Sequence, residues 1–512
     1  MQENSVIMTT PQAEKMRVLL IHPSFDLEEQ YGDLGKIIEP MLPLSLGSLG
    51  AYLEAQGVSV KVVDEQIEYM HPGVLQRYIN EFDPGVVGMT VLTPIANRAY
   101  TISQEIKKIN RNILNVFGNV HPTLMPDEVL KTGVVDIAVR GEGEYTLWDL
   151  VLHHYEGTLK ENLPNIQGIS YLNDEGNVKH NPNRPYVKNL DVFPPFAYHL
   201  LMEDSNNPLY NAGHITTSRG CPWNCIFCSS RTISGVGYRV NSPQRVIEEI
   251  TTLVEKYNIK AFVFDDDNFI VNKKRSAEIC DLIIQKGYHK RLKWHCQGRG
   301  DLVSEDILRK MKEAGCVSVS FGIETMSQRL LDTVNKSEKV EDNVKAVMLC
   351  KKVGLQSRGS FILGLPTESR EECLMTIKLA KKLPLTYAKF SIATPYPGTD
   401  LYQVALKEGF KVPDDWIRFT TTVGLGKYEP VYAPKGRTTS ELKVLQRWAN
   451  LTFYLTPKRL IAMFEQNAPQ NITTLPKVTS IFKLFKYAKI GLWFLFTTFT
   501  LHFKGVVPDD DR

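Results

Sequence analysis

The chain has 512 residues, 43% of them hydrophobic and 23% charged, with a formal net charge of +3. That length exceeds one ordinary core and predicts two or three domains. The near-neutral balance excludes a nucleic-acid or acidic partner recognised through bulk charge. Eight cysteines in so long a chain exclude a disulfide framework.

Residues 1–15 are polar, lack a signal-peptide pattern and read as a disordered tail, so a reducing cytoplasm is the expected location. Residues 16–23 read as a buried parallel strand that ends in a turn at His22-Pro23. Residues 44–56 have helical periodicity and stop at Gly57. Further strands are expected at 58–64, 86–93, 115–119 and 136–141, the last leading into a helix over 144–155. This alternation predicts a doubly wound, Rossmann-like α/β domain over residues 16–156. Its ligand belongs outside the carboxyl ends of the strands. No G-x-G-x-x-G follows the first strand, which argues against a nicotinamide dinucleotide. His22 and His121 lie near strand ends, and each reads first as a satisfied loop histidine, then as a ligand.

Residues 157–205 read as a linker. A hairpin signal at Asn173-Asp174-Glu175-Gly176 is followed by Pro182, Pro185, Pro194 and Pro195. Then Cys221, Cys225 and Cys228 fall at C-x3-C-x2-C spacing in loop-like sequence. Three thiolates this close can hold three irons of a [4Fe–4S] cube and leave the fourth iron open. The alternatives are a zinc site without a local fourth ligand, or three chance cysteines. Cys280, Cys296, Cys316, Cys350 and Cys373 lie singly and read as core residues.

Over residues 206–430 six strands are expected, at 214–218, 261–264, 292–296, 317–325, 357–363 and 388–393, each with polar groups at its carboxyl end. Parallel barrels collect active-site residues at that face. Asp265, Arg299 and Glu324 are the polar candidates there, because carboxylates accept from ammonium and hydroxyl groups and arginine forks onto carboxylates. Each acidic residue also reads as a helix cap, and the run Asp265–Asp267 as a Mg2+ site, although its placement beside the cysteine loop favours a role in the fold or in cofactor binding. Residues 402–470 read as helical. Trp416, Phe419, Trp448, Phe453 and Tyr454 either line a chamber or form core stripes. In the helical C-terminal region, residues 431–512, the apolar run 490–501 is shorter than the roughly 20 residues that span a bilayer. With flanking lysines it reads as peripheral membrane contact through residues 481–504, or as a helix docked on the barrel.

The cysteine spacing, with aromatic Phe227 before the last cysteine, resembles the radical S-adenosylmethionine (SAM) superfamily. The six strands resemble that family's partial (β/α)6 barrel. The resemblance implies that the open iron chelates SAM, that Cys221, Cys225 and Cys228 serve catalysis, and that SAM is cleaved to a 5′-deoxyadenosyl radical. It also makes Asp265, Arg299, Glu324 and the strand ending at Gly364 the SAM-binding candidates. The N-terminal domain is similar to cobalamin-binding domains. Thr90 and Leu92 match the family's S-x-L positions, Gly118 and Asn119 its Gly-Gly positions, and residues 120–126, with His121, and 140–144 match stretches common in B12-binding radical SAM proteins. Asn119 departs from glycine, and the D-x-H-x-x-G cobalt-ligand motif is absent after the first strand.

The order of parts resembles the cobalamin-dependent radical SAM enzymes, most of all the anaerobic Mg-protoporphyrin IX monomethyl ester oxidative cyclase group. The resemblance implies a [4Fe–4S] cluster, SAM and cobalamin as cofactors. It implies a hydrophobic small-molecule substrate functionalised at an unactivated C–H, and an electron donor such as flavodoxin or ferredoxin. A C- or P-methylase acting on a hopanoid-like lipid or a natural product is the rival enzyme. A B12 or redox sensor and a structural iron–sulfur protein are the rivals outside catalysis.

Overall fold

A computed structural model describes residues 16–24, 40–202, 213–421, 423, 428–456 and 459. The tail 1–15 and the apolar stretch within 481–504 lie outside the described residues.

The first sheet takes β1 (Arg17–His22), β2 (Ser59–Asp64), β3 (Val86–Thr90), β4 (Leu114–Gly118), β5 (Ile137–Val139), β6 (Ile169–Leu172) and β7 (Val178–His180) in the order β2-β1-β3-β4-β5-β6-β7. The first five are parallel; β6 and β7 join antiparallel. The hairpin within residues 157–205 thus extends the sheet at its edge. All five residues of β3 are buried, as expected of a strand covered by helices on both faces. The chain leaves β1 toward β2 on one side and β3 on the other. The carboxyl ends of β1 and β3 therefore flank a switch point, the place where such sheets hold ligands.

The second sheet begins at β8 (Gly213–Ile215). A two-residue ribbon follows, β9 (Ser218–Arg219) paired antiparallel with β10 (Arg239–Val240). Then come β11 (Ala261–Phe264), β12 (Lys293–Gly298), β13 (Cys316–Glu324), β14 (Gln356–Leu363) and β15 (Tyr387–Ile392), all parallel, in the order β15-β14-β13-β12-β11-β8. Six strands with two free edges make a partial barrel. Ser or Asn side chains cap the helices after β10, β11, β13 and β14, from Ser242, Asn272, Ser327 and Ser369. Each such bond satisfies an orphan helix amide and contributes about 1 kcal/mol.

Burial alternates along β14, with Ser357, Gly359, Phe361 and Leu363 buried and Gln356, Arg358, Ser360 and Ile362 partly open. The buried set packs under helices with Phe262, Phe264, Trp294, Phe321 and Phe390. Each such aromatic contributes about 2–3 kcal/mol by leaving water. The partly open set faces the lumen.

Residues after β15 are less helical than the sequence suggests. Asp400–Lys407 and Thr439–Tyr454 are helices, with a short 3-10 turn at Trp416–Arg418 between them. The aromatic residues here are core. Trp416 and Phe419 enter the core of the N-terminal sheet, Trp448 and Phe453 that of the barrel. Tyr454 bonds the backbone of Ala388. Trp416 also donates to Glu128 at 3.0 Å, so the barrel's last loop closes onto the first domain. Among the described residues no helix is long and apolar enough to cross a membrane.

Candidate active site

The cysteine loop grows out of the β9–β10 ribbon. Gly220 turns it at φ +86°, where a Cβ would stand 2.7 Å from the Gly237 carbonyl oxygen; glycine meets both demands. Backbone bonds pin the middle of the loop: the Ile226 amide donates to Val334 at 3.1 Å and the Leu401 amide to Ile226 at 2.8 Å. Phe227 packs, with Ile226, against a core of Leu330, Val334, Leu365 and Leu401. Its role is to seat the loop. Cys221, Cys225 and Cys228 are free thiols, with Cys225 and Cys228 lining a cavity of about 600 Å³.

Three successive aspartates after β11 reach back to this segment. Asp265 meets His214 Nδ1 at 2.6 Å. Asp266, fully buried, accepts from the Thr217 amide (2.6 Å), the Thr217 hydroxyl (2.5 Å) and the Ser218 amide (2.9 Å). Asp267 accepts from the Ser230 hydroxyl at 2.5 Å. The run is a brace for the cysteine segment, with all three carboxylates engaged, and not a Mg2+ site. Burial pushes the Asp266 carboxyl up to about 6, against the pull of its Thr217 and Ser218 donors.

Arg299 is also committed internally. Its guanidinium forks onto Asp301 (3.0 and 3.2 Å), donates to the carbonyls of Lys336 and Ser337 (3.0 Å each), and lies 4.1 Å from the ring centre of Trp223 in the cysteine loop. A carboxylate two residues on and two nearby carbonyls satisfy the fork expected to meet a ligand. Glu324 ends β13 at φ +62° and accepts from Lys336 at 3.0 Å, both side chains being buried. Burial pulls Lys336 down, but Glu324, Cys225 and Glu338 outweigh it and its pKa is raised. Gly364, at φ +80°, is held by the buried carboxylate of Glu368, which accepts its amide.

The thiols themselves are pushed up by burial, Cys228 to about 11. Lys336 and Arg299 pull Cys221 and Cys225 the other way. Thiolates here need a positive centre to hold them ionised, which iron supplies. Three soft thiolate donors on one pinned loop with cations behind them fit a [4Fe–4S] cluster with one open iron.

The N-terminal pocket, of about 270 Å³, opens at the carboxyl ends of β3, β4 and β5. Thr90, Gly118 and Asn119 line it; Leu92, 41% exposed, and His121 are not part of its wall. His121 is fully buried, with Nε2 3.1 Å from both Tyr100 Oη and Glu128 Oε2 and its ring against Trp416. Its buried Nδ1 has no hydrogen-bond partner among the described residues, but the ring lies outside the pocket and ties the domains together. His22 pairs with Asp64 at 2.9 Å.

Asn119 keeps the backbone of the glycine it replaces, at φ +84° and ψ −156°, a region that is otherwise glycine's. Its side chain holds the strain: Nδ2 donates to Thr90 Oγ1 at 2.7 Å and Oδ1 accepts from the Val120 amide at 2.8 Å. Thr90 is bridged onward to Ser45 at 3.0 Å. A Cβ on Gly118 would meet nothing within 4 Å. Open space beside bare backbone at a switch point fits the close approach of a large planar cofactor such as cobalamin.

The two sites are joined by arginines of the β9–β10 ribbon and glutamates of the 140–144 stretch. Arg219, two residues before Cys221, lines the N-terminal pocket and pairs with Glu142 (3.0 Å) and Glu144 (2.5 Å); Arg239 pairs with Glu142 at 2.8 Å. The glutamates raise the Arg219 pKa in spite of its burial.

This is the arrangement of an α/β enzyme with a corrinoid-type sheet set over an iron–sulfur barrel. Residues 215–380 match the Radical SAM superfamily and residues 34–151 the B12 binding domain. The chain is 38% identical to an uncharacterised methyltransferase of Pyrococcus horikoshii, across 87% of this chain and 94% of that one. It is 31% identical to an anaerobic magnesium-protoporphyrin IX monomethyl ester cyclase of Rubrivivax gelatinosus, across 76% and 70%. Among solved structures, the cobalamin-dependent SAM radical enzyme OxsB shares the fold at a TM-score of 0.71, 19% identity, and coverage of 95% of this chain and 72% of that one. The radical SAM methyltransferase TsrM of Kitasatospora setae shares it at 0.64, 20% identity, and coverage of 77% and 75%. The chain belongs to the cobalamin-dependent radical SAM enzymes. The cofactors of that family are the [4Fe–4S] cluster, SAM and cobalamin.

Proposed function

We propose that this enzyme transfers a SAM-derived methyl group to an unactivated carbon of a small molecule. The observation that carries the reading is Arg219: one side chain borders the N-terminal pocket and stands two residues before Cys221, so the two cofactor sites lie next to each other. The cluster supplies the electron that opens SAM, and cobalamin the methyl-carrying centre. The chain's part is to bind and orient. Cys221, Cys225 and Cys228 hold the cluster; Thr90, Gly118 and Asn119 border the corrin; Glu324 and Gly364 face SAM. Asp266 and Arg299 keep the loop in place from behind. A donor such as flavodoxin or ferredoxin delivers the electron. Methyl transfer is favoured because the relative that aligns along nearly its whole length carries the name methyltransferase.

Oxidative ring closure on a porphyrin is the second reading, supported by the relatives named as cyclases. The test is anaerobic reconstitution with cobalamin, reductant and methyl-labelled SAM. Methyl transfer yields S-adenosylhomocysteine beside 5′-deoxyadenosine. Sustained 5′-deoxyadenosine without S-adenosylhomocysteine would sink it in favour of ring closure.

A further inference from the structure

One imidazole of the barrel is oriented by a carboxylate and left with an open nitrogen. Strand register sets His214 of β8 beside Val263 of β11, and Val263 beside His295 of β12. Gly213 and Ile215 flank His214 and are buried, as are Phe262 and Phe264 on either side of Val263. Ile215, Phe262 and Phe264 pack in the core under the helices. Alternation along each strand therefore turns His214, Val263 and Asp265 to the opposite face, the lumen. Asp265 reaches His214 Nδ1 at 2.6 Å, and its backbone amide donates to the Ile215 carbonyl at 2.9 Å.

A carboxylate accepts, so Nδ1 carries the proton and Nε2 of the neutral ring is an acceptor. Nε2 makes no hydrogen bond with any described residue. It is not one of the sealed, unpartnered atoms either, in contrast to His121 Nδ1 and His289 Nδ1. The side chain keeps 12% of its surface exposed, so Nε2 borders accessible space. His295, on the same rung, is different: its two nitrogens bond Ser318 Oγ at 2.7 Å and Ser320 Oγ at 3.1 Å. Among the described residues no third metal-ligating side chain joins His214 and Asp265. Tying β8 to β11 needs only Nδ1, so the open nitrogen is left for a ligand. Its position suits a substrate. Thr216, two residues along the same face and about 7 Å nearer the mouth, lines the N-terminal pocket with Arg219. Asp266 and Asp267, next to Asp265, hold the cysteine segment at Thr217, Ser218 and Ser230.

We propose that His214 Nε2 accepts a hydrogen bond from a neutral O–H or N–H donor of the substrate, with Asp265 as the positioning residue that fixes the ring. This rests on the proposed function only in taking the barrel as the substrate chamber. The substrate thus carries a donor hydrogen on the part that enters the lumen, and neither a plain hydrocarbon nor an ether meets the site.

The test uses the full chain, reconstituted with its cluster, and calorimetric titration with benzyl alcohol, benzamide and benzyl methyl ether. At least one donor is expected to bind about five- to tenfold more tightly than the ether, the usual worth of one hydrogen bond. The alcohol and the amide between them identify the donor. H214F is expected to erase the preference, with H214A as a second removal of the acceptor. H214Q, whose side-chain carbonyl accepts, is expected to retain part of it, and D265A, which frees the ring, to lower it to about twofold. SAM affinity is expected to be the same in H214F as in the parent. Circular dichroism and cluster absorbance confirm that each variant is folded and loaded. Equal binding of the three probes, no binding of any, or an unaltered preference in H214F and H214A overturns the proposal. An unaltered preference in D265A overturns the part given to Asp265. A loss of SAM affinity in H214F would assign the histidine to SAM and overturn it as well. Donor preference with no SAM cleavage would overturn the methyl-transfer reading and leave this site standing; cleavage with no donor preference would do the reverse.

Discussion

Lys336 and Lys389 belong to the same barrel and live in opposite surroundings. At the mouth, Lys336 is 3.0 Å from Glu324 and 3.9 Å from Glu338, and its pKa is raised. On β15, Lys389 is exposed and pairs with no carboxylate among the described residues, and its pKa is lowered. The mouth is electrically finished by the chain, so its charges hold the cysteine loop. Lys389 is left to the solvent and holds no other element in place.

Breaking the mouth is expected to have the largest effect. K336M strands the buried Glu324 carboxylate, and a destabilisation of about 3–5 kcal/mol is expected by chemical denaturation. D266A follows, at about 2–3 kcal/mol, because the Thr217 and Ser218 donors lose their acceptor; D266N keeps an acceptor oxygen and is expected to recover most of it. The Asp266 carboxyl is raised from 3.8 to about 6. Its contribution is therefore fully present below pH 3.8 and is lost as pH rises through about 6. D266N is expected to remove that slope from a pH series of denaturation midpoints. In the N-terminal pocket, G118A adds a methyl group to empty space. Cobalamin affinity is expected to fall about tenfold, some 1.4 kcal/mol, with little change in thermal midpoint. The smallest effect is expected on β15. K389M removes an exposed cation, and stability is expected to hold within about 0.5 kcal/mol by chemical denaturation. A large loss of stability in K389M would erase the contrast between the two lysines.

Much of this was legible from local signals. The cysteine spacing and the strand–helix alternation are written within short windows, so the parallel strands of both sheets followed from the sequence, while the antiparallel pair β6–β7 lies within the stretch read as a linker. The partners were less legible, because pairing across strands depends on register. Asp266 looked like one member of an acidic run, and only the fold shows it facing a segment 49 residues earlier. Arg299 looked free to meet a ligand until Asp301 and two carbonyls were found around it. His121 lay near the expected strand end, but Tyr100, Glu128 and Trp416, far apart in sequence, decide its environment.

The aspartate brace also dictates an order of assembly. Asp265, Asp266 and Asp267 lie 51, 49 and 37 residues beyond the groups they hold. During synthesis the three cysteines leave the ribosome while their support is still unmade. Until β11 pairs with β8, the thiols sit on an unanchored loop that is open to oxidation and to the wrong metal. Cluster delivery that waits for this pairing, and for Val334 and Leu401 to pin the middle of the loop, meets a loop already set; earlier delivery must shape the loop itself.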